Sequence, residues 1–387
     1  MKGKKVVLGV TGSIAAYKAC ALTSMLVKAG ADVHVIMTKH AAELVGPASF
    51  GALTRNKVTT KMFEERAVRE IEHVSLAASA DLIIVAPATA NIIAKCACGI
   101  ADDMLSTTLL AAKCPIIAAP AMNTAMYDHP ATAANIEKVR SYGWTIVEGE
   151  SGRLACGTEG RGRMAEPEEI FAEAERVFAP KDFAGIKAVV SAGPTREAVD
   201  PVRYISNRSS GKMGYAIAEA LARRGADVTI VSGPVSLSTN LRRINVETVS
   251  EMYEAVKAAT ADADLFVSAA APADFTVDEP ASEKIKKKDS LDITLTKAVD
   301  IISSIDKTNL FTVGFAAETE NLEEYAQDKL RRKGMNMIAA NDVTKGVFGS
   351  DENEIIIYTE KEKIRLERAS KREIADKLSD IIRKHMS

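Results

Sequence analysis

The chain has no C-x-x-C pair, no G-x-G-x-x-G turn, no excess of basic over acidic residues and no apolar run near the ~20 residues that cross a bilayer. Its five cysteines, Cys20, Cys96, Cys98, Cys114 and Cys156, are an odd number without paired spacing, so neither a disulfide framework nor a zinc site is supported. Cys96 and Cys98, in AKCACG, read most simply as small buried hydrophobes. A formal net charge of -2, from 50 basic and 52 acidic residues, argues against nucleic acid as the main partner, because such binders neutralise phosphates with a basic surplus. The missing glycine triplet disfavours NAD, and a nicotinamide reductase with it. The opening MKGKKVVLGVTGS has a basic tip, but Gly12 and Ser13 follow too short an apolar run for a secretion signal. Cytoplasmic residence and no membrane partner are expected.

What is present suffices for about two globular domains: 387 residues, 47% of them hydrophobic. KKVVLGV, TGS, IAAYKACALTSMLVKAG and ADVHVIMT read as strand, turn, helix and strand, with Ala15, Ala19, Leu22 and Leu26 near 3.6 spacing and Gly30 as the stop. That is a βαβ unit, which implies a parallel sheet. SADLIIVAPATAN and KCPIIAAPAMN look like two more inner strands, whose carboxyl ends are where ligands sit in open α/β sheets. The pattern then restarts: LVKAGADVHVIMT (26–38) and LARRGADVTIVSG (221–233) match in kind and order. The fold class expected is α/β, with two doubly wound, Rossmann-like parallel-sheet domains, 1–180 and 186–387, divided near FAPKDFAGIK (178–187). Near the end, Ser370 and Glu373 form a capping box for a packing helix with Ile374, Leu378 and Ile381 on one face.

Two turns look able to receive an anion. GVTGS places Gly12 and Ser13 at a helix N-terminus, which suits a single phosphate, although an ordinary βα turn explains the stretch equally well. SNRSSGKMG (206–214) is not a Walker motif, since Ser206 and Met213 stand where Gly and Ser or Thr belong. It still gathers two serines, a glycine and a lysine at a helix start, a second anion cradle.

GVTGSIAAYK, IEHVSLAASAD, PATANIIAK, PAMNTAMY and ACGTEGRGRM resemble the homo-oligomeric flavin-containing cysteine decarboxylases, whose fold is flavodoxin-like. SAGPTREAVDPVRYISNRSSGKMG, ADF, EKIKKK, VGFAAET and ANDV resemble phosphopantothenate-cysteine ligase. In this order on one chain they resemble the bacterial bifunctional phosphopantothenoylcysteine decarboxylase/phosphopantothenate-cysteine ligase family of coenzyme A synthesis. Tyr127 stands where tryptophan is expected after PAMNTAM, and Pro272 interrupts an Ala/Val run before Ala-Asp-Phe.

For the first half, the resemblance implies FMN-dependent decarboxylation of 4'-phosphopantothenoylcysteine to 4'-phosphopantetheine. A cysteine carboxylate lacks an electron sink, and flavin oxidation of CH2-SH to a thioaldehyde supplies one; the hydride then returns and a proton must reach carbon. The family pattern makes Cys156 that proton donor, on a glycine- and arginine-rich lid. It makes His73 the histidine that assists thiol oxidation, and Asn123 the amide that binds the substrate carboxylate. Read alone, a loop cysteine is more often inert, His73 is a helix-face histidine and Asn123 a turn former; Met122 and Met126 are read as packing residues. FMN is expected at Gly12, Ser13, Ile14, Thr38, Ser106, Thr107, Thr108 and Leu109. The family sets this flavin at a subunit boundary, which implies a homo-oligomer, trimer-based through the decarboxylase domain, with ligase-domain dimers.

For the second half, the resemblance implies CTP-dependent ligation of L-cysteine to 4'-phosphopantothenate through an acyl-cytidylate, chemistry that rests on positioning and cation support, with Mg2+ expected and its ligands unknown. Lys284 would reach CTP, with Asp274, Val299, Asp300, Ile301, Ile302, Phe315, Lys329 and Lys333 around it, and Asn207 would hold the intermediate. Without that context EKIKKK is a solvated charge run. A reading from another class, a flavin-binding regulatory protein that catalyses nothing, is opposed by the intact His73, Asn123 and Cys156 set.

Overall fold

The computed structural model describes residues 1–62, 72–153, 159–286, 291–318, 322–342 and 349–386. Its contacts divide the chain into Met1–Ala179 and Pro180–Ser387. In the first unit, strands Lys5–Val10, Asp32–Met37, Leu82–Ala88, Ile116–Pro120 and Thr145–Ile146 pair in parallel, in the order 2-1-3-4-5. This is the flavodoxin-like order, which reverses between the first and third strands. Strands covered by helices on both faces read as unbroken apolar runs, and LIIVAPA is accordingly buried along its whole length. Helix Lys18–Lys28 buries Ala19, Leu22 and Leu26 against the sheet, and the chain leaves it at Gly30 with φ of +84°.

One expectation is corrected here. Cys96 is half-buried but Cys98 is exposed, at the end of helix Ala90–Cys98. Residues two apart lie on opposite sides of a helix, so both thiols cannot face the core.

The second unit has eight strands, lying in space in the order Arg242–Asn245, Asp227–Ser232, Lys187–Ala192, Leu265–Ser268, Phe311–Glu318, Met337–Asp342, Glu352–Tyr358 and Lys363–Ser370. The first six are parallel in the Rossmann order 3-2-1-4-5-6, and the last two add an antiparallel hairpin at one edge. Phe183 is fully buried in this unit's core, with the Arg224 guanidinium 5.0 Å from its ring. The closing helix Lys371–His385 is capped by Ser370, whose hydroxyl accepts from the Glu373 amide at 3.2 Å. Ile374, Leu378 and Ile382 are its large fully buried apolar residues, whereas Ile381 is half-buried. No helix among the described residues is long and apolar enough to cross a membrane.

Candidate active sites

A cleft of about 790 Å³ opens in the first unit where the strand order reverses, within the range of small-molecule sites. Thr11, Gly12 and Ser13 enter it from the end of the first strand, Thr38 and His40 from the second, Thr89 and Asn91 from the third, and Ala121 and Met122 from the fourth. The floor is rigid: the buried Thr11 hydroxyl donates to the Pro87 carbonyl at 2.7 Å and accepts from the Thr89 amide at 3.0 Å. Ser13 caps the turn of Ile14–Tyr17, and Thr38 caps helix Lys39–Leu44. Gly12 has no room for a side chain, since a Cβ there would lie 2.5 Å from that of His40. Backbone amides, two hydroxyls and the Lys39 and Lys61 ammonium groups at the rim fit a phosphate-bearing ring ligand such as a flavin nucleotide.

Asn123 caps the short helix Thr124–Tyr127, its side-chain oxygen accepting from the Ala125 amide at 2.9 Å, beside the cleft residues Met122 and Met126. Met122 packs on the core as read, but Met126 is 50% exposed. The same turn anchors the arm that follows the expected lid: the Met122 amide donates to the Gly162 carbonyl at 2.9 Å and the Thr124 hydroxyl to the Arg161 carbonyl at 2.9 Å. Gly162 permits that approach with φ of +105°, where a Cβ would meet the Met122 carbonyl oxygen at 2.5 Å. The Arg161 guanidinium lies 4.8 Å from the Tyr127 ring, and burial and the neighbouring Glu148 carboxylate raise the pKa of the Tyr127 phenol. Cys156 lies outside the described residues.

Other expected residues are placed differently. His73 is half-buried near the start of helix Glu72–Ser79 and is not among the described residues lining the cleft. Asp102, Asp103, Met104 and Leu105 reach the cleft, whereas Ser106 and Leu109 line a separate one of about 560 Å³ with Cys96, Cys114 and Trp144. The hydroxyls of Ser106, Thr107 and Thr108 turn back on their own helix, to the carbonyls of Asp103, Asp103 and Met104. Sequence reasoning passed over Lys95, which lines the cleft and donates to Asp102 at 2.6 Å and Asp103 at 2.8 Å. Burial opposes its charge, but the two carboxylates outweigh burial and lift its pKa above the ordinary lysine value. Its position in the quoted PATANIIAK segment was the available signal.

In the second unit, Asn207 lies at the reversal of strand order. Its amide donates to the Ala271 and Pro272 carbonyls at 3.2 and 2.9 Å, just beyond strand Leu265–Ser268, while the Ala271 amide bonds back to Gly193. Two residues on, the Asp274 carbonyl accepts from the Ala298 amide, which sets Asp274 beside Val299 and Asp300. Asp300 pairs with Lys333 at 2.8 Å, and Lys329 donates to the Phe315 carbonyl at 3.2 Å. The expected Asp274, Val299, Asp300, Phe315, Lys329 and Lys333 are thus tied into one neighbourhood. Ile301 and Ile302 are buried beneath it, and Lys284 is exposed. Among the described residues the Asn341 side-chain oxygen, from the ANDV segment, is buried without a partner, a polar atom left for a ligand. The Lys212 anion cradle takes another form: its ammonium donates to the Gly349 carbonyl and to Asp351 at 2.6 Å, tying the helix start to the edge hairpin.

Residues 1–178 match a family model described as Flavoprotein, and residues 183–386 one described as DNA/pantothenate metabolism flavoprotein C-terminal domain. The chain is 47% identical over 394 residues to the Coenzyme A biosynthesis bifunctional protein CoaBC of Haemophilus influenzae, covering 100% of this chain and 98% of that one. It is 48% identical over 369 residues to the protein of the same name from Bacillus subtilis, covering 92% and 91%. A solved C-terminal domain of a Coenzyme A biosynthesis bifunctional protein CoaBC is 37% identical, covers 53% of this chain and 97% of its own, and has a TM-score of 0.46.

Proposed function

The chain belongs to the family of coenzyme A biosynthesis bifunctional proteins, and from that premise we propose how its two units divide and perform the work. It is a phosphopantothenoylcysteine decarboxylase and a phosphopantothenate-cysteine ligase. Residues 1–180 carry the decarboxylase and 186–387 the ligase, acting in the cytoplasm.

The decarboxylase cleft would hold FMN, with Gly12, Ser13 and Thr38 receiving it. Bound there, the flavin supplies a two-electron oxidation of the substrate thiol and later its reversal. Asn123 holds the departing carboxylate from the Met122–Tyr127 turn, and Cys156, a few residues before the Arg161–Gly162 arm that clasps that turn, gives a proton to carbon. His73 enters a cleft from another copy of the chain, which is why a homo-oligomer, trimer-based at this domain, is the working form. Met104 and Leu105, which line the cleft, would meet the flavin at the start of the helix that carries Ser106, Thr107, Thr108 and Leu109.

The ligase site takes 4'-phosphopantothenate, L-cysteine and CTP. Asn207 holds the acyl-cytidylate, while Lys284, Lys329 and Lys333 offset the charge of the triphosphate and the leaving pyrophosphate, with Asp274, Val299 to Ile302 and Phe315 around the nucleotide. Mg2+ would accompany the triphosphate, bound chiefly by its phosphate oxygens. Ligase units pair as dimers.

The observation that carries this reading is the end-to-end identity of 47% with a bifunctional relative, in a chain whose first unit opens a cleft at the flavodoxin-type reversal. The test is an absorption spectrum of the purified protein with a mass-monitored assay on 4'-phosphopantothenate, cysteine and either CTP or ATP. Yellow protein making 4'-phosphopantetheine with CTP is expected. Colourless protein unable to take up FMN refutes the first half, and product formed equally with ATP refutes the nucleotide assignment.

A further inference from the structure

We infer that Asp200 is a positioning residue of the ligase site: with Arg203 it clamps both backbone groups of Ile285, and so fixes Lys284 and Lys286 relative to Asn207. The inference rests on the reading of Lys284 given above. Asp200 lies at the bend of the antiparallel hairpin Arg196–Ala198 and Tyr204–Ser206, and is 3% exposed. One carboxylate oxygen accepts from the Val202 and Arg203 amides, each at 2.8 Å. The other takes the Arg203 guanidinium and the Ile285 amide at 3.1 Å. Arg203 in turn donates to the Ile285 carbonyl at 2.9 Å. A second tether, from the Ala281 amide to the Val199 carbonyl at 3.0 Å, holds the start of the same segment.

The bonds to Val202 and Arg203 suffice to close the hairpin; those to Ile285 contribute nothing to the turn and reach 85 residues along the chain. Their effect falls on a segment whose side chains are otherwise exposed at Glu283, Lys284 and Lys286. A lysine on a free loop would have to be ordered each time a nucleotide binds; a backbone fixed on either side of it has already met that entropy. The clamp suits the task because a carboxylate that accepts five donors stays ionised while buried, and the Arg203 guanidinium foremost holds its pKa well below the usual carboxylate range. The hairpin's far end leads into Ser206 and Asn207, whose amide is fixed on Ala271 and Pro272. One short ribbon therefore links the segment that carries Lys284 to the turn that carries Asn207.

The test compares wild type, Asp200→Asn, Lys284→Gln and the double variant as full chains, scored by CTP-dependent ligation, by decarboxylation of supplied phosphopantothenoylcysteine, and by hydrogen exchange at Ile285. The expected result is an apparent KM for CTP raised about tenfold by Asp200→Asn, the size of a lost charge-assisted hydrogen bond, with KM for cysteine and decarboxylation unchanged. The double variant should be no worse than Lys284→Gln alone, since one residue acts through the other. If Lys284→Gln leaves KM for CTP unchanged, the reading of Lys284 falls and the inference with it. If Lys284→Gln raises KM but Asp200→Asn does not, or if the two effects multiply, only the positioning role falls. Wild-type exchange decides the matter even where Asp200→Asn fails to fold: an Ile285 amide exchanging like a free loop amide overturns the clamp.

Discussion

The Lys333 ammonium sits 2.8 Å from the Asp300 carboxylate, and that carboxylate also caps helix Ile301–Ser304 through the Ser303 amide. Burial pushes the Asp300 pKa up, but Lys333 and the cap outweigh it and hold it below the ordinary aspartate value. A carboxylate depressed in the folded state contributes stability that is present above its unfolded pKa and is lost as pH falls through the folded one. Lys333→Met removes the largest opposing influence and leaves burial opposed by the cap alone. The Asp300 pKa, read by carbon NMR of the carboxyl group, should rise, and acid unfolding of the ligase unit should begin at higher pH. An unmoved titration would show that Lys333 does not hold the charge.

Gly12→Ala tests the cleft. The added methyl meets the His40 Cβ at 2.5 Å, so the turn or the helix start at Lys39 must shift. Overpacking of this kind costs roughly 1–3 kcal/mol, about tenfold in ligand affinity where the loaded state bears it. Flavin absorbance per chain after gel filtration should fall while ligation continues. Full flavin content in the variant would remove Gly12 from the binding turn.

Cys96 should resist alkylation. Burial, with Asp103 nearby, pushes its thiol up to about 12, so almost none is thiolate at neutral pH. Iodoacetamide should modify exposed Cys98 well before Cys96, measured by peptide mass. Equal rates would mean that helix Ala90–Cys98 opens readily.

The first strand, helix and second strand were legible because VVLGV and DVHVIM are short β-branched runs around a helix with 3.6 spacing. The edge hairpin was passed over: the many charged residues of Lys363–Ser370 read as a solvated stretch, and what makes it a strand is pairing with Glu352–Tyr358. Lys95 escaped notice for a related reason, since its partners Asp102 and Asp103 come from the next helix start and no local spacing announces the pair. Asn207 and Lys284 were named by their motifs, but the Asp200 carboxylate that links their segments is recognisable only once the chain has folded.

Separate sites on one chain predict separable losses. In the first unit the Met122–Gly162 and Thr124–Arg161 bonds bring Arg161 and Gly162, a few residues past Cys156 in sequence, to the Asn123 turn. Cys156→Ser keeps a hydroxyl of similar size but a far weaker acid, so protonation on carbon should fail while substrate still binds. In the second unit Asn207→Asp replaces a donor by a carboxylate facing the Ala271 and Pro272 carbonyls, which repels them and any anionic intermediate held nearby. With 4'-phosphopantothenate, cysteine and CTP supplied, Cys156→Ser should accumulate CMP and phosphopantothenoylcysteine or its oxidised decarboxylation product, with at least a hundredfold less 4'-phosphopantetheine, on the order of a lost general acid. Asn207→Asp should release little or no phosphopantothenoylcysteine yet decarboxylate that compound when it is supplied. Mass spectrometry of both mixtures decides: if each substitution abolishes both half-reactions, the two sites are not independent and the division of labour between the units is wrong.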